Sequence, residues 1–242
     1  MRLLIIRHAD PDYEHDSLTP QGRREASALA EELREVPITA ACVSPLGRAR
    51  LTAKPVLDAK GMTAEILPWL REFDAIVVRP HTGKPGIAWD WLPQDWAAED
   101  DFLSLERWTR PGPMADSNAA EKYAKVCAGL DALLDRHGYR REGRLYRAHS
   151  PNEDTVALFC HFGVECVLLS HLLHISPMPL WHGTCALPSS VTRLVTEERR
   201  EGIAAFRMLE YGSLTHLYRR GIEPSFSARF RECFYRDDQR ID

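Results

Sequence analysis

The sequence predicts an α/β fold, a three-layer sandwich with a mostly parallel sheet, helices on both faces and a lid-like insertion. Two observations predict the layers. Residues 3–6 are a short unbroken apolar run, the pattern of a strand covered on both sides, and residues 155–160 are the next strongest buried-strand signal. Around them, apolar residues recur at helical spacing, as at Ala26, Leu29, Ala30 and Leu33. A third predicts the insertion: over residues 79–116 the alternation stops, prolines and glycines accumulate, and no helical period persists.

In chain order, residues 3–6 are the first strand, and Arg7 and His8 follow at its carboxyl end. Ligands of open α/β sheets bind outside the carboxyl ends of the strands. An imidazole beside a fixed cation there can meet an anionic substrate. Residues 10–17 are a polar loop. Thr19 caps the first helix, Pro20 fits its first turn, and Pro37 prevents its extension. Residues 39–43 are a second strand. Ser44 and Pro45 start a second helix by the same logic. Its face is Leu46, Ala49, Ala53 and Leu57, with a kink at Pro55 and a stop at Gly61. Residues 63–67 read as a third strand, leading through Pro68 and Trp69 to Arg71 and Glu72.

The segment 79–116 holds Trp89, Trp91, Trp96 and Trp108, four of the chain's six tryptophans. Two readings stay open, a satellite hydrophobic cluster under a long loop and a lid over a site. Arg79, His81 and Lys84 can face substrate anions or simply solvent. Asn118 with Glu121 is a capping-box-like start, and Tyr123, Val126, Leu130, Leu133 and Leu134 form the buried stripe of a helix ending near Gly138. Residues 139–154 are basic and polar, and are expected as a surface connection. His161 ends the strand 155–160, and Gly163 opens a helix carrying Val164, Val167, Leu168 and Leu172. Residues 191–196 and 203–209 suit a hairpin around the charged turn 197–202. Beyond Arg219 no element is assigned.

A chain of 242 residues is expected to form one domain, 1–242, with the insertion at about 79–116. Its net charge of -4 and lack of basic runs argue against nucleic acid. No apolar stretch is long enough to span a membrane, and the opening run does not read as a signal peptide. Six cysteines without regular spacing suggest reduced thiols and a cytoplasmic location. No glycine-rich loop ending in Lys-Ser/Thr is present, which excludes nucleotide hydrolysis by that route. His171 and His174 lie three apart near Cys166, but no second pair with ligand spacing accompanies them. Neither a metal nor a cofactor is expected.

The motifs carry a family likeness. Arg7-His8-Ala9 resembles the Arg-His-Gly signature of the histidine phosphatase superfamily, the phosphoglycerate-mutase-like fold. Leu18-Thr19-Pro20-Gln21-Gly22 is similar to its Leu-Thr-x-x-Gly segment, and residues 44–53 to its Ser-x-x-x-Arg-Ala-x-x-Thr-Ala segment. Leu70-Arg71-Glu72 resembles the stretch bearing its acid, and Cys160-His161-Phe162-Gly163 its second histidine motif. The resemblance implies a phosphatase that uses no metal. His8 would be the nucleophile giving phosphohistidine, Glu72 the acid and His161 a hydrogen-bond donor, with Arg7, Arg48 and His161 holding phosphate. Asp74, Glu65 and Glu153 stay open as alternative acids. Arg48, a cation in the first turns of a helix, opposes the helix dipole, which favours a bound anion. Arg50 and Arg71 read as surface residues.

Three departures stand out. Ala9 replaces the glycine where a backbone amide would approach phosphate, Phe162 replaces a common glycine, and Glu14 stands where many members carry asparagine. The competing readings are a phosphoglycerate-type mutase and a phosphate-binding module without turnover. The expected partner is a small-molecule phosphate ester, and homo-oligomerisation stays open.

Overall fold

The computed structural model of the protein describes residues 1–227 and 229–239. The strands of its eight-stranded sheet are β1 (Arg2–Arg7), β2 (Ala40–Val43), β3 (Glu65–Ile66), β4 (Tyr139–Glu142), β5 (Leu145–Ala148), β6 (Thr155–Cys160), β7 (Val191–Arg200) and β8 (Ile203–Ser213). Their order is β3-β2-β6-β1-β7-β8-β5-β4. The half from β3 to β1 is parallel. From β1 onward every pairing is antiparallel, so the sheet is mixed, and parallel where strands are joined through helices. The connections explain the change. Gly143 at φ 61° and Gly202 at φ 77° sit in tight turns, and such short loops join only antiparallel neighbours.

Helices α1 (Pro20–Glu32) and α2 (Gly47–Lys60) cover one face; α3 (Ala119–Arg136) and α4 (Phe162–Leu173) cover the other. Alternation along β1 divides its side chains between the two cores. Leu4 and Ile6 pack with Leu29, Ala49 and Ala53, whereas Leu3 and Ile5 join the cluster holding Leu130, Leu134, Val164 and Val167. This is the three-layer α/β sandwich that the sequence predicts.

Local chemistry accounts for the ends of the elements. The Gly22 amide donates to Thr19 Oγ1 at 3.0 Å, the expected cap of α1. Gly61 ends α2 in the left-handed region at φ 62°, and α2 runs continuously through Pro55. Three expectations need correction. Helix α2 begins at Gly47 with Leu46 at its cap, and the Ser44 hydroxyl, which accepts from the Leu46 amide at 3.3 Å, also pairs with His161. Asn118 makes no side-chain cap on α3; Ser117 Oγ instead accepts from the Ala119 amide at 3.1 Å. Residues 139–154 are not a mere surface connection: they contain β4 and β5, the sheet's far edge. Tyr139 and Tyr146 there are each 2% exposed and pack on Phe206. The third strand shrinks to Glu65–Ile66, and the late hairpin extends to Ser213.

The segment 79–116 divides between the two readings. Trp91 and Trp108 are buried, edge-on to Phe102 and Trp181 respectively. Trp89 and Trp96 are half-buried and line a cavity. The segment opens on a short hairpin, Ile76–Val78 against Pro85–Ile87.

Candidate active site

The parallel half of the sheet gathers four sequence motifs at one edge. Arg7 pairs with Cys160 in register, so His8 and His161 both stand one residue beyond adjacent parallel strands. Val43 pairs with Phe159, which puts Ser44 at the same edge. Ile66 pairs with Val43, and the turn Pro68–Leu70 then delivers Glu72. The imidazole rings of His8 and His161 lie with centroids 5.1 Å apart.

His8 is 1% exposed, and its Nδ1 lies 2.8 Å from the Ala9 carbonyl oxygen. A carbonyl only accepts, so this contact assigns the proton to Nδ1 and leaves the Nε2 lone pair free. Burial, then the Arg7 guanidinium, hold its pKa well below the ordinary 6.5, so the ring is neutral at physiological pH. Both conditions suit a nucleophile. His161 is fully buried, and its Nε2 is 2.7 Å from Ser44 Oγ. Burial and then His8 hold its pKa well below 6.5. His161 Nε2 and the Ser44 hydroxyl share one hydrogen bond, and His161 Nδ1 has no partner among the described residues.

Two cations flank the pair. Arg7 is 4% exposed, donates to the Ala186 carbonyl and lies over the Phe162 ring with Cζ 5.5 Å from the centroid. Arg48 donates to Asp16 Oδ1 at 2.7 Å and lies 5.3 Å from the Tyr13 centroid. Their Nε groups are buried without hydrogen-bond partners among the described residues. Such guanidinium edges suit phosphate oxygens.

Glu72 Oε1 accepts from the amides of Phe73 at 2.8 Å and Val164 at 3.2 Å, the latter in the first turn of α4. Burial nevertheless raises its pKa, outweighing those amides and the two arginines. Burial thus favours the protonated carboxyl, which is the direction a general acid needs. The alternative acids lie elsewhere. Asp74 is paired with Lys122, Glu65 with Arg136 at 2.8 Å, and Glu153 is exposed at the start of β6.

Three residues were not read from the sequence as site components. Asp16, at φ 45°, binds the Gly47 amide at 2.6 Å as well as Arg48. Ser44 holds His161. Thr52 Oγ1 accepts the Ala9 amide at 2.9 Å and donates to the Arg48 carbonyl at 2.8 Å. That contact corrects the reading of Ala9, since its amide is bound by Thr52 and does not face a ligand. Glu14 is exposed, and Phe162 forms the apolar wall expected of it, edge-on to Trp89. His171 bonds Asp131 at 2.9 Å, and His174 caps α4 at φ 59°. Among the described residues no group of three or more His, Cys, Asp or Glu is placed to hold a metal ion.

A cavity of about 980 Å³ meets this site at Arg7 and Phe162. Its walls include Trp89 and Trp96 of the insertion, Trp181 and His182 of α5 (Pro177–Gly183), and Phe226 and Arg229 of the tail. Of the three insertion cations considered as anion ligands, Arg79 lines the cavity but is paired with Asp90 at 2.9 Å. His81 also lines it and faces Asp95, while Lys84 is exposed.

Comparison with known proteins agrees with the motifs. Residues 3–208 match the sequence pattern of the histidine phosphatase superfamily, branch 1. An adenosylcobalamin/alpha-ribazole phosphatase of Salmonella typhi is 24% identical over 191 residues, 75% of this chain and 84% of that relative. A phosphoserine phosphatase from Entamoeba histolytica, solved with 3-phosphoglyceric acid, superposes with a TM-score of 0.58 at 18% identity, over 89% of this chain and 98% of that one. A mycobacterial glucosyl-3-phosphoglycerate phosphatase gives a TM-score of 0.58 at 20% identity, over 88% and 98% of the two chains. The structural likeness supports the fold, and the sequence pattern spans most of the chain: the protein belongs to the histidine phosphatase superfamily, branch 1.

Proposed function

We propose that the protein hydrolyses a phosphate monoester through a phosphohistidine on His8, without a metal. The observation that carries this reading is the neutral, buried His8, with its proton on Nδ1, facing His161 between two arginines. His8 Nε2 attacks phosphorus as the bond to the ester oxygen breaks. Glu72 gives its proton to that departing oxygen. Arg7, Arg48 and His161 hold the phosphoryl oxygens. Water then attacks the phosphohistidine, returns a proton to Glu72, and inorganic phosphate leaves.

The cavity supports a bulky substrate. Its tryptophans and phenylalanines offer stacking and apolar contact, which suits a large, largely uncharged leaving group. A mutase would need a tight cationic pocket for a second small acid beside the phosphate. Here Arg79 is already paired with Asp90. In this reading residues 79–116 are the lid of one domain. We place the protein in the cytoplasm, where the four buried thiols Cys42, Cys127, Cys160 and Cys166 are at home. No helix of the described residues is long and apolar enough to cross a membrane.

The test is covalent trapping. Brief mixing with a ³²P-labelled ester, quenched without acid, is expected to leave label on the wild type and none on His8→Ala. Label on the His8→Ala protein would remove His8 as nucleophile. Isomerisation of 3-phosphoglycerate outpacing release of phosphate from every ester tried would favour the mutase.

A further inference from the structure

We propose that residues 225–227 and 229–234 of the C-terminal tail are the substrate-specificity element of this site, Phe226 and Arg229 forming the wall on which a flat aromatic leaving group lies. The proposal rests on the phosphatase reading above and adds to it the part of the chain that selects the substrate. This stretch lies beyond residue 208, where the match to the family pattern ends.

The tail is fastened to the loop that carries the nucleophile. Asp10, two residues after His8, accepts hydrogen bonds at Oδ1 from the Ser225 hydroxyl and, at 2.8 Å, from the Ser227 hydroxyl. Its Oδ2 accepts from Thr19 Oγ1 at 2.6 Å, which ties the same carboxylate to the cap of α1. Gln21 Nε2 of α1 donates to the Glu223 carbonyl at 3.1 Å. Ser225 is only 8% exposed, and its Oγ accepts the Ser227 amide at 3.0 Å, which closes the turn.

Beyond that fastening the chain turns over the cavity. The Arg229 amide donates to the Phe226 carbonyl at 3.1 Å, and the guanidinium carbon lies 4.4 Å from the Phe226 ring centroid. A guanidinium on an aromatic ring is held flat, and its outer face can stack on another π system. Phe226, Arg229, Phe230, Arg231 and Phe234 all line the cavity that reaches Arg7. Phe230 and Phe234 are 43% and 80% exposed, apolar surface that an aromatic group in the cavity mouth would cover.

The experiment compares two esters, 4-methylumbelliferyl phosphate, with a bicyclic aromatic leaving group, and glycerol 2-phosphate, with no ring. For Phe226→Ala and for Arg229→Gln, the ratio of kcat/KM between the aromatic and the small ester is expected to fall at least tenfold, through KM of the aromatic ester. Phe226→Trp should restore it. Ser225→Ala with Ser227→Ala should lower the ratio in the same direction, because the wall loses its fastening. A ratio unchanged in Phe226→Ala and Arg229→Gln, with the wild type turning over both esters, overturns the role of the tail alone. A proportional loss on both esters does the same, since it marks a merely structural effect. A wild type that turns over neither ester and traps no phosphate on His8 overturns the phosphatase reading, and the specificity wall with it.

Discussion

Asp16 shows how a single side chain sets the electrostatics of the site. Partial burial works to raise its pKa, but the Gly47 amide and the Arg48 guanidinium outweigh this and bring it below 3.8, so the carboxylate stays charged. It holds Arg48 by one edge and the first amide of α2 at the same time. Asp16→Ala frees a cation that otherwise stands at a fixed place, and a mobile arginine loses more entropy on gripping phosphate. The expected outcome is a rise in KM of about tenfold with a smaller fall in kcat, read from steady-state kinetics on an aryl phosphate. An unchanged KM would mean that Arg48 is placed by other contacts. Asp16 was hidden in the sequence for a physical reason. It lies in the polar loop 10–17, and its partners are 31 and 32 residues away, joined to it only by the fold. Arg7, His8, Arg48 and His161 stood out because each follows an apolar run or stands near a helix start, whereas Glu72 stood out only through the likeness of Leu70-Arg71-Glu72 to the family's acid-bearing stretch. Ser44 was legible as a polar residue before a helix, yet its hydroxyl serves His161, a choice that local sequence does not record.

At the scale of elements, the site depends on how closely the first turn of α4 meets the segment after β3. Gly163 is needed there. A Cβ at this position would lie 2.6 Å from Glu72 Oε1 and 2.5 Å from Trp89 Nε1, closer than atoms tolerate. Trp89 is itself held by its Nε1 donating to the Phe73 carbonyl at 2.7 Å, so it yields less readily than a free side chain. Gly163→Ala is therefore expected to displace the carboxyl from the departing oxygen. Esters of aliphatic alcohols, which need a proton on departure, should slow at least tenfold more than p-nitrophenyl phosphate. Equal losses on both would mean that the acid is not the part disturbed. The elements themselves were read with uneven success. Strands β1 and β6 were plain because burial on both faces leaves an unbroken apolar run in each, residues 3–6 and 156–160. Strands β4 and β5 were not, because only one face is buried. Tyr139, Tyr146 and Ala148 alternate with outward arginines, and the charges conceal the period of two.

For the whole molecule, the buried titratable groups set how stability follows pH. Glu165 is 1% exposed on α4; its Oε1 accepts from Thr192 Oγ1 of β7 at 2.6 Å, and Oε2 has no partner among the described residues. Burial raises its pKa from 4.5 to about 7, the Thr192 hydroxyl opposing only in part. Between those values the native carboxyl keeps its proton while the unfolded one loses it, so this group's contribution falls as pH rises through the window. At about 1.4 kcal/mol per pKa unit the loss is on the order of 3 kcal/mol, complete above pH ~7. The buried histidines act the other way. Burial lowers His182 and His216 from 6.5 to about 4, so the unfolded chain takes up protons first and stability falls as pH drops below 6.5. His8 and His161 add to the same acid-side loss. Glu165→Gln separates the two effects, because it removes the carboxyl and leaves every histidine in place. Urea unfolding is expected to show the variant close to wild type at pH 5, where the native carboxyl is neutral, and more stable than wild type by roughly 3 kcal/mol at pH 8, where wild type carries an ion in its core. The histidine-linked loss below pH 6.5 should appear in both proteins, while the gap between them closes as pH falls from about 7 to 4.5. A difference between them that stays the same from pH 5 to pH 8 would show that Glu165 does not change its protonation on folding, and that the unpartnered oxygen has found a counter-charge.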